Sequence, residues 1–359
     1  MTEPQDPELV RLRKAMQSLD LEIVGRLTQR AELSVALRKL RERGVNLSAS
    51  EPNEEAWLEG LSRAGAGVLP KESVRRIFGA VRAEARGLEQ LVRVAFMGTE
   101  GGFGHELATS YFGSSAELEP APTAEDALAQ VLRGRAGFAT FPIESSNEGL
   151  VQTSVTALAK TELPIVAERS ILANYNLMSL DPGSTIERIF LTPQAHAACE
   201  RFLLVEYPNV AVVDVRSPLL AAKEAAAAQD AACIVPDGCG KHFGLSALRT
   251  NVSEVADLRY RYAIVGTRPA MRTGMDTTCL LFGGDDSPGA LYGILGQFAE
   301  RGINLKKLQS RPREAGGWDY VFYVEVAGHV SDRAVVTALE AVRRSAKYLK
   351  VLGSFPSEQ

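Results

Sequence analysis

The sequence is poor in the residues that build disulfide frameworks and metal clusters. Four cysteines occur among 359 residues, and none of them forms a CxxC pair. They are Cys199, Cys233, Cys239 and Cys279. Cys233 and Cys239 have no nearby histidines at zinc-finger spacing. We therefore expect reduced thiols in a cytoplasmic protein, and no metal site.

Long apolar runs and a strong charge of one sign are also missing. No run of about 18 apolar residues occurs, so no membrane span is expected. The segment MTEPQDPELVRLRKA has no apolar core and does not resemble a signal peptide. The net charge of −4 gives no general reason to expect nucleic acid or an anionic membrane as a partner. A content of 45% hydrophobic residues over this length is typical of two or three globular domains.

Residues 1–90 are predicted to be entirely helical. In residues 8–42, apolar side chains recur at mostly helical spacing: Leu12, Met16, Leu19, Ile23, Leu27 and Leu33. A helix of this length needs partner helices. Two further segments, around EEAWLEGLSRA and after Pro70, supply them.

Two further regions follow. From 92 to 268, short apolar runs such as GFATFPI and AACIVP alternate with helical stretches, which predicts an α/β layer fold. From 274 to 359, the pattern predicts a ferredoxin-like βαββαβ unit, with a first strand at Thr278–Phe282 and a second helix at Asp332–Ser345.

The segment VAFMGTEGGFGHE, residues 94–106, is an apolar run that enters a glycine cluster. No lysine follows the glycines, so it is not a Walker loop. Gly102 and Gly104 match the first two glycines of a dinucleotide-binding loop, but Leu107 occupies the third position. Dinucleotide binding and a tight turn between a strand and a helix both remain open on the residues alone.

Several motifs together carry a resemblance to a known family. The loop GTEGGFG is followed by FPIESSNEGLV, TPQAHAACERFL, FGLSAL and SPGALYGILGQFAERGINLKKLQSRP. In this order they resemble bifunctional chorismate mutase–prephenate dehydratases with a C-terminal ACT domain. The resemblance implies a helical mutase domain, a two-lobed α/β dehydratase domain and an ACT regulatory domain. It also implies chorismate and prephenate as substrates, and neither reaction needs a metal or an organic cofactor.

In the helical region, the resemblance assigns catalytic roles to Arg13, Arg30, Arg41, Glu54 and Glu89. Guanidinium groups suit the substrate's two carboxylates because they bind bidentately. Four positions depart from the family: Arg41 replaces a lysine, Ser50 an aspartate, Asn53 an arginine, and Glu89 a glutamine. An ionised Glu89 only accepts hydrogen bonds, so it must be protonated to assist the ether oxygen. The family's interleaved helices imply a homodimer in which Arg13 reaches the partner's site.

In the α/β region, the resemblance gives Tyr260 and Arg261 catalytic roles, with Arg261 expected to pair with a substrate carboxylate. The expected substrate-binding residues are Gly102, Phe103, Glu144, Ser145, Ser146, Gly149 and Gln194. Gly102 and Gly104 stand where the family has hydroxyl side chains, and Tyr260 stands where it has a threonine. We therefore expect the glycine loop to close one edge of a carboxylate-binding cleft through its backbone amides.

The last region is expected to bind L-phenylalanine as an effector at a dimer interface. The implied contacts are Gly289, Ala290, Leu291, Asn304, Gln309, Ser310, Arg311 and Pro312. Gln309 replaces a glutamate of the family. The substitutions leave three functions open: a feedback-regulated bifunctional enzyme, a phenylalanine-sensing relative without activity, and an enzyme for another chorismate-like or prephenate-like acid.

Overall fold

The computed structural model describes residues 6–43, 54–64, 68–89, 92–255, 257–284, 287–312 and 320–357. The helices are α1 (Pro7–Glu42), α2 (Glu54–Ala64), α3 (Lys71–Glu89), α4 (Phe103–Phe112), α5 (Ala124–Leu132), α6 (Gln152–Lys160), α7 (Pro193–Glu206), α8 (Pro218–Ala226), α9 (Asp237–His242), α10 (Ala290–Ala299) and α11 (Arg333–Ser345). The strands are β1 (Arg93–Met97), β2 (Glu117–Ala121), β3 (Phe138–Ser145), β4 (Gly149–Leu150), β5 (Ile165–Leu172), β6 (Asn176–Ser179), β7 (Arg188–Leu191), β8 (Ala211–Asp214), β9 (Ala231–Val235), β10 (Ser246–Arg249), β11 (Arg259–Gly266), β12 (Asp276–Gly283), β13 (Leu305–Pro312), β14 (Tyr320–Ala327) and β15 (Tyr348–Pro356). The predicted fold classes of all three regions are confirmed.

The helical unit is built from α1, α2 and α3, and residues 109–117 belong to the same compact unit. Both α1 and α2 pack on α3. The first half of α1 carries the predicted apolar stripe on its surface. Leu12, Met16, Leu19 and Ile23 are 52%, 64%, 57% and 56% exposed. A protomer therefore leaves a stripe of large apolar side chains in contact with water.

The rest of the chain forms a second compact unit with three sheets. The first lobe contains the sheet β2-β1-β3-β11-β5, with β4 paired to β3. The second lobe contains the sheet β10-β6-β9-β7-β8. Both sheets are mixed, but each contains a parallel part, β1 with β3 in the first lobe and β7 with β8 and β9 in the second, which gives that part of the sheet a defined carboxyl edge.

The C-terminal domain, residues 274–357, has the antiparallel sheet β13-β14-β12-β15. One face of this sheet packs on α10 and α11 through Leu280, Phe282 and Val324. The other face shares an apolar core with the first lobe, where Leu281, Tyr323 and Phe355 join Phe141 and other lobe residues. Apolar side chains on both faces of this sheet are therefore buried.

Within the described residues, the chain has no helix that combines the length and the apolar character needed to span a bilayer.

Candidate active and effector sites

The register of the first lobe places two pairs of expected site residues side by side. Tyr260 pairs with Ser145, and Arg261 pairs with Glu144, across β11 and β3. Because successive side chains on a strand point to opposite faces, Tyr260 and Arg261 face opposite sides of the sheet. The two side chains therefore have different surroundings.

Tyr260 belongs to an aromatic cluster with Phe103 and Tyr175. The ring of Phe103 lies 5.8 Å from that of Tyr260 and 5.2 Å from that of Tyr175. Burial raises the pKa of Tyr260, while a hydrogen bond from Tyr175 opposes this rise. Burial also raises the pKa of Tyr175, and the same hydrogen bond adds to it. Tyr175 and Tyr260 therefore share a hydrogen bond between their hydroxyl groups within this cluster. The sequence reasoning missed Tyr175.

The segment that follows β3 is held to the start of β11 by two hydrogen bonds. The Ser146 amide donates to the Arg259 carbonyl oxygen at 2.9 Å, and the Arg259 amide donates to Ser146 Oγ at 3.0 Å. Ser145 Oγ accepts from the Asn147 amide at 3.3 Å. Gly149, where φ is +77°, returns the chain into β4. The structure therefore brings Ser145, Ser146 and Gly149 together near Tyr260.

Arg261 lies away from this cluster, in a network of the protein's own carboxylates. Its Nη1 lies 2.7 Å from Glu168 Oε2 and its Nη2 2.7 Å from Glu144 Oε2. Glu325, on β14 of the C-terminal domain, is a third partner. Burial alone would lower the pKa of Arg261, but Glu168, Glu325 and Tyr323 outweigh it and raise the pKa. The Arg261 guanidinium was expected to pair with a substrate carboxylate. In the structure it contacts carboxylates of the protein, because strand alternation turns it away from the Tyr260 face and toward the C-terminal domain.

A fourth side chain, Lys307 of β13, donates to Glu144 Oε1. Potential metal-ligand atoms of Glu168, Cys279 and Glu325 also gather here, within 4.8 Å of one another. Burial raises the pKa of the Cys279 thiol, and the neighbouring carboxylates of Glu168 and Glu325 raise it further. The positive charge that balances this cluster comes from Arg261.

The glycine loop connects the two lobes through their backbones. A Cβ added at Gly101 would lie 2.6 Å from both the Gly238 carbonyl carbon and the Cys239 nitrogen. Gly101 follows the carboxyl end of β1, and Gly238 follows that of β9. The carboxyl edges of the two sheets therefore meet at this point, which is where α/β folds bind ligands.

The amides of the glycine loop are partly used inside the protein. The Gly98 amide donates to the Ala121 carbonyl oxygen at 3.0 Å, and the Gly102 amide donates to the Thr99 carbonyl oxygen at 3.1 Å. A Cβ at Gly104 would clash with the Met97 carbonyl oxygen. The loop was expected to offer free amides, but these two amides are hydrogen-bonded within the protein. The glycines also allow close packing between the lobes and between α4 and β1.

Helix N-termini line the carboxyl edge of the second lobe. Thr192 caps α7 by accepting from the Ala195 amide at 3.3 Å, and the exposed Gln194 lies in the first turn. Ser217 caps α8 by accepting from the Leu220 amide at 3.2 Å, and Pro218 fits the first helical position. Such termini carry partial positive charge and suit carboxylates.

In the helical unit, α1 and α3 bring together several polar groups. A groove of about 430 Å³ lies between them and is lined by Arg30 and mostly apolar side chains. Ser34 Oγ donates to Glu89 Oε1 at 3.1 Å. Burial lowers the pKa of Arg30, nearby Arg82 lowers it further, and Glu89 opposes both. Arg82 and Ser34 were missed by the sequence reasoning, although Arg82 lies two helical turns before Glu89 on the same face of α3.

The other expected mutase residues are not part of this group. Arg13 is exposed on the first half of α1. The side chains of Arg41 and Glu54, together with all of Ser50 and Asn53, lie outside the described residues.

The expected effector residues divide between two faces of the C-terminal sheet. Gly289, with φ +84°, precedes α10, where Ala290 and Leu291 begin the helix layer. Ser310 and the Asn304 backbone lie on or beside β13. Gln309 instead faces the first lobe, and its amide nitrogen lies 3.5 Å from the position of a Cβ added at Gly149. The side chains of Arg311 and Pro312 lie outside the described residues.

This combination of fold and cleft defines a class of protein. Residues 94–270 match the prephenate dehydratase family, and residues 280–344 match the ACT domain family. A crystal structure of the prephenate dehydratase from Arthrobacter aurescens in complex with L-Phe is similar, with 31% identity and a TM-score of 0.66. The similarity covers 74% of this chain and 90% of that one. GqqA, described as a novel type of quorum quenching acylase, is similar at 27% identity and a TM-score of 0.65, over 74% of this chain and 98% of that one.

Full-length relatives extend the match to the helical unit. The bifunctional chorismate mutase/prephenate dehydratase of Aquifex aeolicus is 32% identical over 355 residues, which cover 97% of this chain and 98% of the relative. The chain belongs to the family of bifunctional chorismate mutase/prephenate dehydratases. The C-terminal domain is its ACT domain.

Proposed function

We propose that the chain converts chorismate to prephenate in its helical unit and prephenate to phenylpyruvate in its two-lobed domain, with inhibition by L-phenylalanine. The observation that carries the proposal is the match to bifunctional relatives over 97% of the chain. The four cysteines are buried and free, which is compatible with our proposal that the enzyme acts in the cytoplasm.

The mutase reaction is a rearrangement within one molecule, so the protein supplies charge and orientation rather than a bond-making group. Arg30 lines the groove between α1 and α3, and Arg82 is a second cation close to Arg30. Ser34 donates to Glu89 and fixes the carboxyl group in the same region. Arg30 binds a substrate carboxylate, and a protonated Glu89 donates to the ether oxygen as negative charge develops there.

The mutase site is completed by a second copy of the chain. The exposed stripe of Leu12, Met16, Leu19 and Ile23 is large enough to require a partner surface, and Arg13 lies on the same half of α1. An isologous pairing of two such helices would bury the stripe. It would also carry Arg13 toward the partner's groove.

The dehydratase reaction removes the ring carboxylate as carbon dioxide and the ring hydroxyl as water. The electron pair of the broken carbon–carbon bond enters the ring, and the carbon–oxygen bond breaks as the hydroxyl takes a proton. Tyr260 is suited to donate that proton, because it lies beside Phe103 and Ser145 and burial raises its pKa, which keeps the phenol protonated at neutral pH. The capped N-termini of α7 and α8 are suited to hold the substrate's carboxylates.

The effector proposal rests on the ACT domain. The loop at Gly289 brings the backbone to the start of α10 without a side chain, which suits a small amino-acid ligand. The relative from Arthrobacter aurescens was crystallised with L-Phe. We place the ligand of this chain between Gly289–Leu291 and the edge strand β13.

The test feeds the purified chain with chorismate at neutral pH and identifies the products without an acid step, because acid alone converts prephenate to phenylpyruvate. Phenylpyruvate above the protein-free control is the expected result, and added L-phenylalanine should reduce it. Arg30→Met should abolish the formation of phenylpyruvate from chorismate but not from prephenate. Chorismate and prephenate that both remain intact would refute the proposal and favour a sensing protein or an enzyme for another acid.

A further inference from the structure

The edge strand of the ACT domain reaches the dehydratase lobe with two polar side chains. Lys307 and Gln309 lie two residues apart on β13 and therefore share one face. Lys307 Nζ donates to Glu144 Oε1. Gln309 lies against Gly149, in the strand that follows the turn after β3. A strand outside the dehydratase domain thus touches the residues beside its candidate active site.

Glu144 is held from two sides. Its Oε1 accepts from Lys307, and its Oε2 accepts from Arg261 Nε at 2.8 Å. Both oxygens therefore have a cationic donor, and the side chain is only 18% exposed. A carboxylate fixed by two charged donors has little freedom to rotate.

Lys307 also balances charge in the network. Three carboxylates, Glu144, Glu168 and Glu325, surround the single guanidinium of Arg261. Lys307 is the second cation and is itself 20% exposed. Without it, Glu144 would lose the cation on its Oε1 side while it remains close to the other carboxylates at a largely buried place, and like charges there repel. Glu144 is the member with the most freedom to move, because it is more exposed than the 7% of Glu168 and the 8% of Glu325.

The network lies directly behind the cleft residues. Glu144 precedes Ser145 on β3, and Arg261 follows Tyr260 on β11. A displacement of Glu144 therefore moves the Ser145–Ser146 turn relative to Tyr260. We propose that Lys307 of the ACT domain is a positioning residue of the dehydratase, which holds Glu144 against Arg261 and so fixes the turn at the end of β3 beside Tyr260. This inference rests on the dehydratase function proposed above.

The test compares full-length variants in the conversion of prephenate to phenylpyruvate. Lys307→Met removes the charge, and Lys307→Arg keeps it. Lys306→Met is the matched control, because Lys306 lies next to Lys307 but binds Thr277 Oγ1 at 2.8 Å and Ser357 Oγ at 2.7 Å within the ACT domain. Circular dichroism and thermal unfolding report the folded fraction of each variant.

Lys307→Met should lower kcat roughly tenfold to a hundredfold, the range that a small misplacement of active-site groups produces, with KM changed much less. Lys307→Arg should restore most of the rate, and Lys306→Met should match the wild type. If Lys307→Met does not fold, Lys307→Gln replaces it in the test. This variant keeps a hydrogen-bond donor but no charge, and we expect the same loss of kcat.

Two results would overturn the inference while leaving the proposed function intact. The first is a wild-type kcat in folded Lys307→Met, or in folded Lys307→Gln if Lys307→Met does not fold. The second is a loss of kcat in the Lys307 variant that is explained by its smaller folded fraction and is no larger than the loss in Lys306→Met. A wild-type chain that does not consume prephenate in the same assay would instead refute the proposed function, and the inference with it.

Discussion

Alanine substitution at two glycines should separate the cost of a strained backbone from the cost of a clash between the lobes. Gly101 has φ +73°, and an added Cβ would meet the Gly238 carbonyl carbon and the Cys239 nitrogen at 2.6 Å. These are backbone atoms and cannot rotate away. Gly134 has a similar φ of +68°, but an added Cβ there has no atom within 4 Å. Gly134→Ala is therefore a control for the strain alone.

The two effects have different sizes. A left-handed conformation costs a non-glycine residue about 1–2 kcal/mol, and both variants carry this cost. Overpacking adds about 1–3 kcal/mol, and only Gly101→Ala carries it. The free energy of unfolding should therefore fall by about 1–2 kcal/mol in Gly134→Ala and by roughly 2–5 kcal/mol in Gly101→Ala.

Urea unfolding followed by circular dichroism measures the stability, and phenylpyruvate formation from prephenate measures the site. Gly101→Ala should also lose dehydratase activity while folded, because a displaced glycine loop moves Phe103 away from Tyr260. Gly134→Ala, in an exposed turn, should keep its activity. Equal losses of stability in the two variants would refute the close contact between lobes at Gly101.

Two more predictions concern the candidate catalytic groups. Tyr260→Phe should lower the dehydratase kcat about a hundredfold, a typical contribution of a general acid. Because burial raises the pKa of Tyr260 above its ordinary value of 10.0, the phenol stays protonated through neutral pH, and the wild-type kcat measured from pH 6 to 9 should show no alkaline decline caused by this group. Glu89→Gln places an amide donor at this position, so the mutase rate, measured as chorismate loss at neutral pH, should not fall. A loss of this rate in the folded variant would exclude the proposed donor role of this position.

Local periodicity was sufficient to predict the architecture. The expected strand Thr278–Phe282 is found as Asp276–Gly283, and the expected helix Asp332–Ser345 begins one residue later. In these elements apolar residues recur at the spacing of a strand or of a helix, so the local sequence is enough to predict each of them. The residues near the cleft were reached through the family resemblance, and the structure does place Phe103, Ser145 and Tyr260 close together.

Contacts between distant segments could not be predicted in this way. Gly101 and Gly238 touch through their backbones although no side chain marks the pairing. The different sides reached by Tyr260 and Arg261 follow from strand alternation, but the partners of Arg261 come from β3, β5 and β14. Only the packed sheets reveal that Glu325 is one of them.

The core shared by the ACT sheet and the first lobe constrains how this chain can change over evolutionary time. Leu281, Tyr323 and Phe355 are at most 1% exposed, and they are covered from the catalytic side. A gene that lost its 3′ portion would uncover the opposing apolar face of the dehydratase lobe, and such patches favour aggregation. A truncation that removes the ACT domain would therefore also leave the remaining lobe prone to aggregation. Under the regulation proposed above, point substitutions within the ACT domain could weaken effector binding without exposing this face.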